Sequence, residues 1–127
     1  MTTQVIEPEL ERLESLWTGG LSDAYRAYLK AVAGYERVSQ PKLALAAALV
    51  EVGIELQGLG QKAAPPPALL MGDLCLARSS RLLAGAAPQS LQVAFAAAIE
   101  SMASAAAAGT EARPIRELLL AALKAGR

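Results

Sequence analysis

Apolar residues recur at helical spacing along most of the chain, and glycine or proline falls at intervals that suit helix ends. Alanine and leucine dominate, while β-branched residues are few. The pattern predicts an all-α fold, with residues 1–127 forming a single-domain bundle of about six helices. The predicted helices cover approximately residues 7–17, 22–37, 42–59, 68–83, 89–107 and 114–123.

The second predicted helix has the clearest amphipathic pattern. Its apolar positions are Leu21, Ala24, Tyr25, Tyr28, Leu29 and Val32. The first predicted helix carries a comparable stripe, formed by Ile6, Leu10, Leu13 and Trp17, and has acidic residues in its opening turn. The third predicted helix is apolar on nearly all sides up to Glu51, so we expect it to lie centrally in the bundle.

Serine, proline and glycine positions predict several helix boundaries. Ser39 followed by Pro41 is typical of an N-cap and a first-turn proline for the third helix. We expect residues 63–67 to form a stiff linker, because their three prolines lack helical hydrogen-bond donors. Gly85 and Pro88 are expected to separate the fourth helix from the fifth.

Charge and cysteine content limit the partners that we expect. Twelve basic and twelve acidic side chains cancel, and the basic residues form no run that would fit a nucleic-acid backbone or an anionic membrane. Polar residues, Gly85 and Pro88 interrupt the longest uncharged stretch, so we expect no membrane span. With one cysteine and no secretory pattern at the N-terminus, the expected location is the cytoplasm.

Histidine is absent from the sequence. Its absence removes the usual general base near neutral pH, the commonest nitrogen ligand of zinc, and any Ser-His or Cys-His nucleophile pair. We therefore expect the chain to have no complete catalytic site, and no cofactor or metal bound by this chain.

Two pairs of glutamates are spaced one helical turn apart, as a divalent metal site would require. Glu7 and Glu11 lie at a predicted helix start, where interaction with the helix dipole is the favoured explanation. Glu51 and Glu55 lie on the largely apolar third helix, and we expect Asp73 of the next helix near them, so a metal or ligand site is one alternative. Exposure to solvent or to an interface is the favoured explanation for this second pair.

Basic residues and a cysteine on the fourth predicted helix allow two further alternatives. Arg78 and Arg81 either clamp an anion or form surface salt bridges with Asp73, and we favour the salt bridges. Cys75 has leucine neighbours and no histidine to activate it, so we interpret it as a small core residue rather than a nucleophile.

Residues 46–108 resemble the helical core of trans-polyprenyl diphosphate synthases. The resemblance is carried by Ala47-Ala48-Leu49-Val50-Glu51, by Leu69-Leu70-Met71-Gly72-Asp73-Leu74-Cys75-Leu76-Ala77-Arg78, by Arg81-Leu82-Leu83-Ala84, and by Ala98-Ile99-Glu100. The family signature Leu-x-x-Gly-Asp-x-Leu-x-Ala is the most specific part, although Cys75 stands where the family has its second leucine. The resemblance implies an all-helical fold.

The sequence departs from that family at the residues that hold magnesium. Family synthases bind Mg²⁺ and the allylic diphosphate through two DDxxD motifs, and neither motif is found in this sequence. When Glu51 is aligned with the family's conserved glutamate, Gln61 and Lys62 align with the first aspartate pair of the family. A lysine at that position would repel the metal.

A retained Gly-Asp helix without the aspartate motifs is similar to the small, non-catalytic subunit (component I) of heteromeric hexaprenyl or heptaprenyl diphosphate synthases. The resemblance implies a larger catalytic partner that carries the DDxxD motifs and Mg²⁺. It also implies a role in setting product length for the side chain of a respiratory quinone such as menaquinone. The candidate interface or tunnel-support residues are Glu51, Glu55, Leu70, Asp73, Leu74 and Ala77.

A helical homodimerisation or adaptor module without any link to isoprenoids is the alternative. Alanine-leucine helices leave apolar faces that pair easily with one another. We therefore expect an isolated chain to self-associate, with a homodimer as the expected form.

Overall fold

The computed structural model describes residues 20–58, 66–111 and 113–126, and within them it contains five α-helices and no strand. The helices are α1 (Ser22–Ala31), α2 (Gln40–Leu56), α3 (Pro66–Ala86), α4 (Gln89–Ala108) and α5 (Ile115–Ala125). The prediction of an all-α, single-domain bundle is confirmed at this level. The helix predicted at residues 7–17 lies outside the described residues, as do Glu7 and Glu11.

Helix α2 lies at the centre of the bundle, as predicted. Its residues are buried almost without interruption from Leu43 to Ile54, and it contacts each of the other four helices. Four alanines in this stretch let neighbouring helices approach closely, because a methyl group is the smallest side chain that still fills an interior. The core of the molecule is therefore built around α2.

The backbones of α2 and α3 meet at two glycines. A methyl group placed on Gly72 would lie 2.9 Å from the carbonyl oxygen of Gly53. A methyl group placed on Gly53 would lie 3.1 Å from the carbonyl oxygen of Gly72. The first distance is shorter than real contacts of a Cβ atom and the second is tighter than most of them, so glycine at these positions lets the two helices approach closely.

Helix α1 buries the stripe that the sequence predicts, through Leu21, Ala24, Tyr28 and Val32. It ends at Ala31 rather than at residue 37. The physical reason is tertiary: the Tyr35 hydroxyl donates a 2.6 Å hydrogen bond to the Leu123 carbonyl, and the Gln40 side chain donates to the carbonyls of Ala33 and Tyr35. The two Gln40 bonds satisfy carbonyls of the turn that replaces the last predicted helical turns, and the Tyr35 bond ties this turn to α5.

Two predicted boundaries are corrected. Pro66 and Pro67 form the first turn of α3 instead of a linker, because first-turn backbone N–H groups have no helical acceptor and proline loses nothing there. Gly85 lies inside α3, which continues to Ala86. Ser39 precedes α2 as predicted, but its side chain makes no capping hydrogen bond.

Helix α4 buries only a narrow face, formed by Leu91, Phe95, Ala98 and Met102. Val93 is 60% exposed, and most of the helix's alanines lie on the outer surface. Helix α4 is long and apolar enough to cross a membrane, and only 22% of its most apolar 18 residues are buried in the bundle. The expected absence of a membrane span therefore stays a prediction.

Candidate functional site

A buried carboxylate, Glu51, lies at the centre of a polar cluster formed by α1, α2 and α5. The Tyr28 hydroxyl donates a 2.8 Å hydrogen bond to Glu51 Oε1. Arg116 donates from Nε to Oε1 and from Nη2 to Oε2, both at 2.8 Å. Glu51 is only 7% exposed, so these three donors replace the water that would otherwise solvate its charge.

The helix positions explain why these side chains meet. Glu51 is the only charged residue within the buried stretch of α2, and Tyr28 belongs to the inward stripe of α1. Arg116 sits in the first turn of α5, where its guanidinium reaches Glu51 while 39% of its side chain stays exposed. Its carbon Cζ lies 5.9 Å from the Tyr28 ring centroid, which adds a cation-π contact.

The surroundings of Tyr28 and Arg116 fix the protonation states of these two side chains. Burial, the hydrogen bond to Glu51 and the Glu51 charge raise the pKa of the Tyr28 hydroxyl well above its ordinary value. The hydrogen bonds to Glu51 raise the pKa of Arg116, and the nearby charges of Glu51 and Asp23 add to that shift. Tyr28 therefore stays neutral and Arg116 stays charged, which suits a structural tie between helices better than acid-base chemistry.

Glu51 and Glu55 do not act as a free carboxylate pair in this arrangement. Both oxygens of Glu51 already accept hydrogen bonds, whereas Glu55 lies on the exposed side of α2. Desolvation, with a contribution from Glu51, raises the pKa of the Glu55 carboxyl. Within the described parts of the chain, no three potential metal ligands come together.

Asp73 makes a contact that the sequence did not predict. Its carboxylate accepts a hydrogen bond from the Gln57 side chain, which ties the end of α2 to α3 next to Gly72. Within the described ranges, no ion pair joins Asp73 to Arg78 or Arg81. Two neighbouring residues of α3 therefore contact α2: Gly72 through its backbone and Asp73 through a hydrogen bond from the Gln57 side chain.

Four of the six candidate interface residues lie on α3, and three of them face outward. Leu70 is 71% exposed, Asp73 and Ala77 are exposed, and Leu74 is partly buried. Leu70, Asp73 and Ala77 are spaced by three and four residues, so they share one helix face, which we call the outer face of α3. The structure does not bring Glu51 to this face, because Glu51 points into the bundle.

The Ser79 hydroxyl and the Cys75 thiol are both buried in α3. Ser79 is 1% exposed and donates a 2.8 Å hydrogen bond to the Ala46 carbonyl. Cys75 is 2% exposed, as predicted for a core residue, and burial raises the pKa of its thiol. A buried neutral thiol and a bonded hydroxyl are poor nucleophiles.

Sequence reasoning missed Arg116 and the polar role of Tyr28. A signal for both was present: a lone glutamate in an otherwise apolar helix needs buried donors, and a tyrosine on an inward stripe needs a partner for its hydroxyl. No protein-family model, curated protein or solved structure matches this chain.

Proposed function

We propose that this chain is a non-catalytic accessory subunit of a heteromeric long-chain polyprenyl diphosphate synthase. It would pair with a larger subunit that carries the DDxxD motifs and Mg²⁺, and it would help to set product chain length. The observation that carries the proposal is the outer face of α3, where the Gly-Asp segment of the family resemblance leaves Leu70 71% exposed.

The rigid attachment of α3 supports this role. Gly53 and Gly72 hold α3 against α2 at backbone contact, and the Gln57 to Asp73 bond holds the same region. A helix fixed in this way presents its exposed residues in a constant arrangement, which lowers the entropy lost when a partner binds. Burying a leucine side chain against a partner contributes about 1.5–3 kcal/mol, less the part already covered.

The polar groups also fit an accessory role better than a catalytic one. Both carboxylate oxygens of Glu51 accept hydrogen bonds from Tyr28 or Arg116. The described residues contain no cluster of carboxylates that could hold Mg²⁺. In the proposed complex, an apolar helical face of this chain would line or support the tunnel into which the isoprenoid tail grows. The depth of that tunnel would then limit product length.

A co-expression experiment with two matched variants tests the proposal. The chain is co-expressed with the DDxxD-containing prenyl diphosphate synthase of its source organism, and the mass of the complex is measured by light scattering on a sizing column. We expect a heteromer that is lost in Leu70→Glu and kept in Val93→Glu, which places the same charge on the exposed face of α4. Two separate peaks for the unmodified pair would contradict the proposal.

Helix α4 favours a second candidate function, a homodimerisation or adaptor module. Its outward face carries Val93 and several exposed alanines, and small residues allow two helices to pack closely. The same two variants separate the candidates when the isolated chain is studied. A homodimer broken by Val93→Glu but not by Leu70→Glu, without any heteromer, would favour the second function.

A further inference from the structure

A cavity of about 110 Å³ lies between α2, α3 and α4. Helices α3 and α4 follow one another in the chain but contact each other much less than α2 and α3 do, so space is left between them. The inner wall of the cavity contains Val50, Leu83 and Phe95, each at most 5% exposed. Ser80 and Ala96 also line it and are exposed, so they mark the mouth. The cavity therefore has an apolar interior that opens to solvent on one side.

The polar groups of the lining are uncharged. The Ser79 hydroxyl is buried and donates its hydrogen to the Ala46 carbonyl at 2.8 Å. The Gln92 side chain is partly buried and donates a 3.0 Å hydrogen bond to the Ala87 carbonyl through Nε2. That bond leaves the Gln92 carbonyl oxygen, Oε1, available as an acceptor. None of the described residues that line the cavity is charged.

The lining limits the chemistry of a ligand. Water in the interior would find few hydrogen-bond partners, and in another protein an apolar cavity of about 150 Å³ stays dry and binds benzene. An ionised group would lose its hydration without gaining a charged partner, which is strongly unfavourable. The cavity therefore fits an uncharged molecule about as large as one aromatic ring, with a single hydrogen-bond donor at the mouth.

We propose that this cavity binds a small uncharged aromatic alcohol of the size of phenol. The ring would lie against Leu83 and Phe95, where two aromatic rings gain from an edge-to-face arrangement. The ligand hydroxyl would donate a hydrogen bond to the carbonyl oxygen of the Gln92 side chain. The inference does not depend on the proposed function.

Phe95 provides the readout, because it is the only phenylalanine in the sequence and is 1% exposed. The full chain is labelled with carbon-13 in the phenylalanine ring and titrated with phenol. We expect a saturable shift of the Phe95 ring signals and a nuclear Overhauser effect between these ring protons and those of phenol. Phenol on the outer surface would give no such effect, because the Phe95 ring is buried. Benzoate, which has the same ring and a charge, should give neither signal.

Two matched variants of α4 locate the binding site. Ala96 and Ala97 are both exposed, but only Ala96 lines the cavity. Ala96→Leu should fill the mouth and weaken phenol binding about tenfold or more, whereas Ala97→Leu should bind phenol as the unmodified protein does. Far-UV circular dichroism should stay native in both variants, because neither alanine is in the core.

A third variant tests the polar contact at the mouth. Gln92→Met keeps the size of the side chain and removes the acceptor, so it should weaken the binding of phenol but leave that of benzene unchanged. Absence of a saturable shift at Phe95 with phenol would overturn the proposal. Equal phenol binding by the Ala96 and Ala97 variants, or binding of benzoate as tightly as phenol, would also overturn it.

Discussion

Removal of the Arg116 guanidinium tests the energetic role of the Glu51 cluster. Glu51 is 7% exposed in the native structure. In Arg116→Met it keeps the Tyr28 hydrogen bond but loses two charge-assisted bonds of 2.8 Å. Breaking a buried ion pair costs about 3–5 kcal/mol, and the partial exposure of Arg116 admits water, so we expect a loss of about 3 kcal/mol. At about 4 °C per kcal/mol for a chain of this size, Tm should fall by about 12 °C.

Urea unfolding followed by far-UV circular dichroism gives the free energy of unfolding for each variant. The double variant Glu51→Met with Arg116→Met should lose less than the sum of the two single variants, because it leaves no unpaired charge inside the protein. Asp23→Asn is the control: Asp23 lies 3.8 Å from Arg116 but is 85% exposed, so no measurable change is expected. Additive losses, or a loss under about 1 kcal/mol for Arg116→Met, would refute this reasoning.

Three further predictions concern α2 and α3. Gly72→Ala should destabilise the fold by about 1–3 kcal/mol in the same urea assay, because the added methyl group meets the α2 backbone. Gly85→Ala in the same helix is the control: the added methyl group has open space there, so it should stabilise the fold by about 0.5–1 kcal/mol. The raised pKa of the Glu55 carboxyl means that the folded state binds its proton more tightly, so stability falls as pH rises from the unfolded to the folded pKa. Glu55→Gln should therefore raise Tm at pH 7 and lose that advantage below the ordinary pKa of 4.5. Equal Tm curves for the Glu55 variant and the unmodified protein would contradict the assignment. The Cys75 thiol should react with a disulfide reagent much faster in urea than in the native state, and a fast native reaction would argue against its burial.

The helical architecture could be predicted because it depends on local spacing. The stretch from Leu43 to Ile54 contains one charged residue, so only a central position allows a helix of that composition to bury its whole circumference. The stripe of α1 and the start of α4 also follow directly from apolar periodicity and from Pro88. Helix ends fixed by distant contacts were not predictable in this way: the turn after α1 depends on a bond from Tyr35 to a carbonyl 88 residues away.

The candidate site was predictable only in part. Glu51 was identified as unusual from its apolar surroundings, but its partner Arg116 is 65 residues further along the chain and is one of twelve basic residues in the sequence. The apolar periodicity of the sequence does not show which of these basic residues pairs with Glu51. Leu70 and Ala77 were identified through the family resemblance, and their exposure depends on how α3 rotates against α2 at Gly53, which only the three-dimensional packing determines.

The most direct test of the accessory-subunit role is the product-length distribution of the DDxxD-containing synthase of the same organism. Prenyl transfer from isopentenyl diphosphate is measured with the synthase alone and with an equimolar amount of this chain. The account predicts that adding the chain raises activity or shifts the length of the polyprenyl diphosphate, and that Leu70→Glu abolishes the effect. The same products formed at the same rate with and without the chain would contradict it.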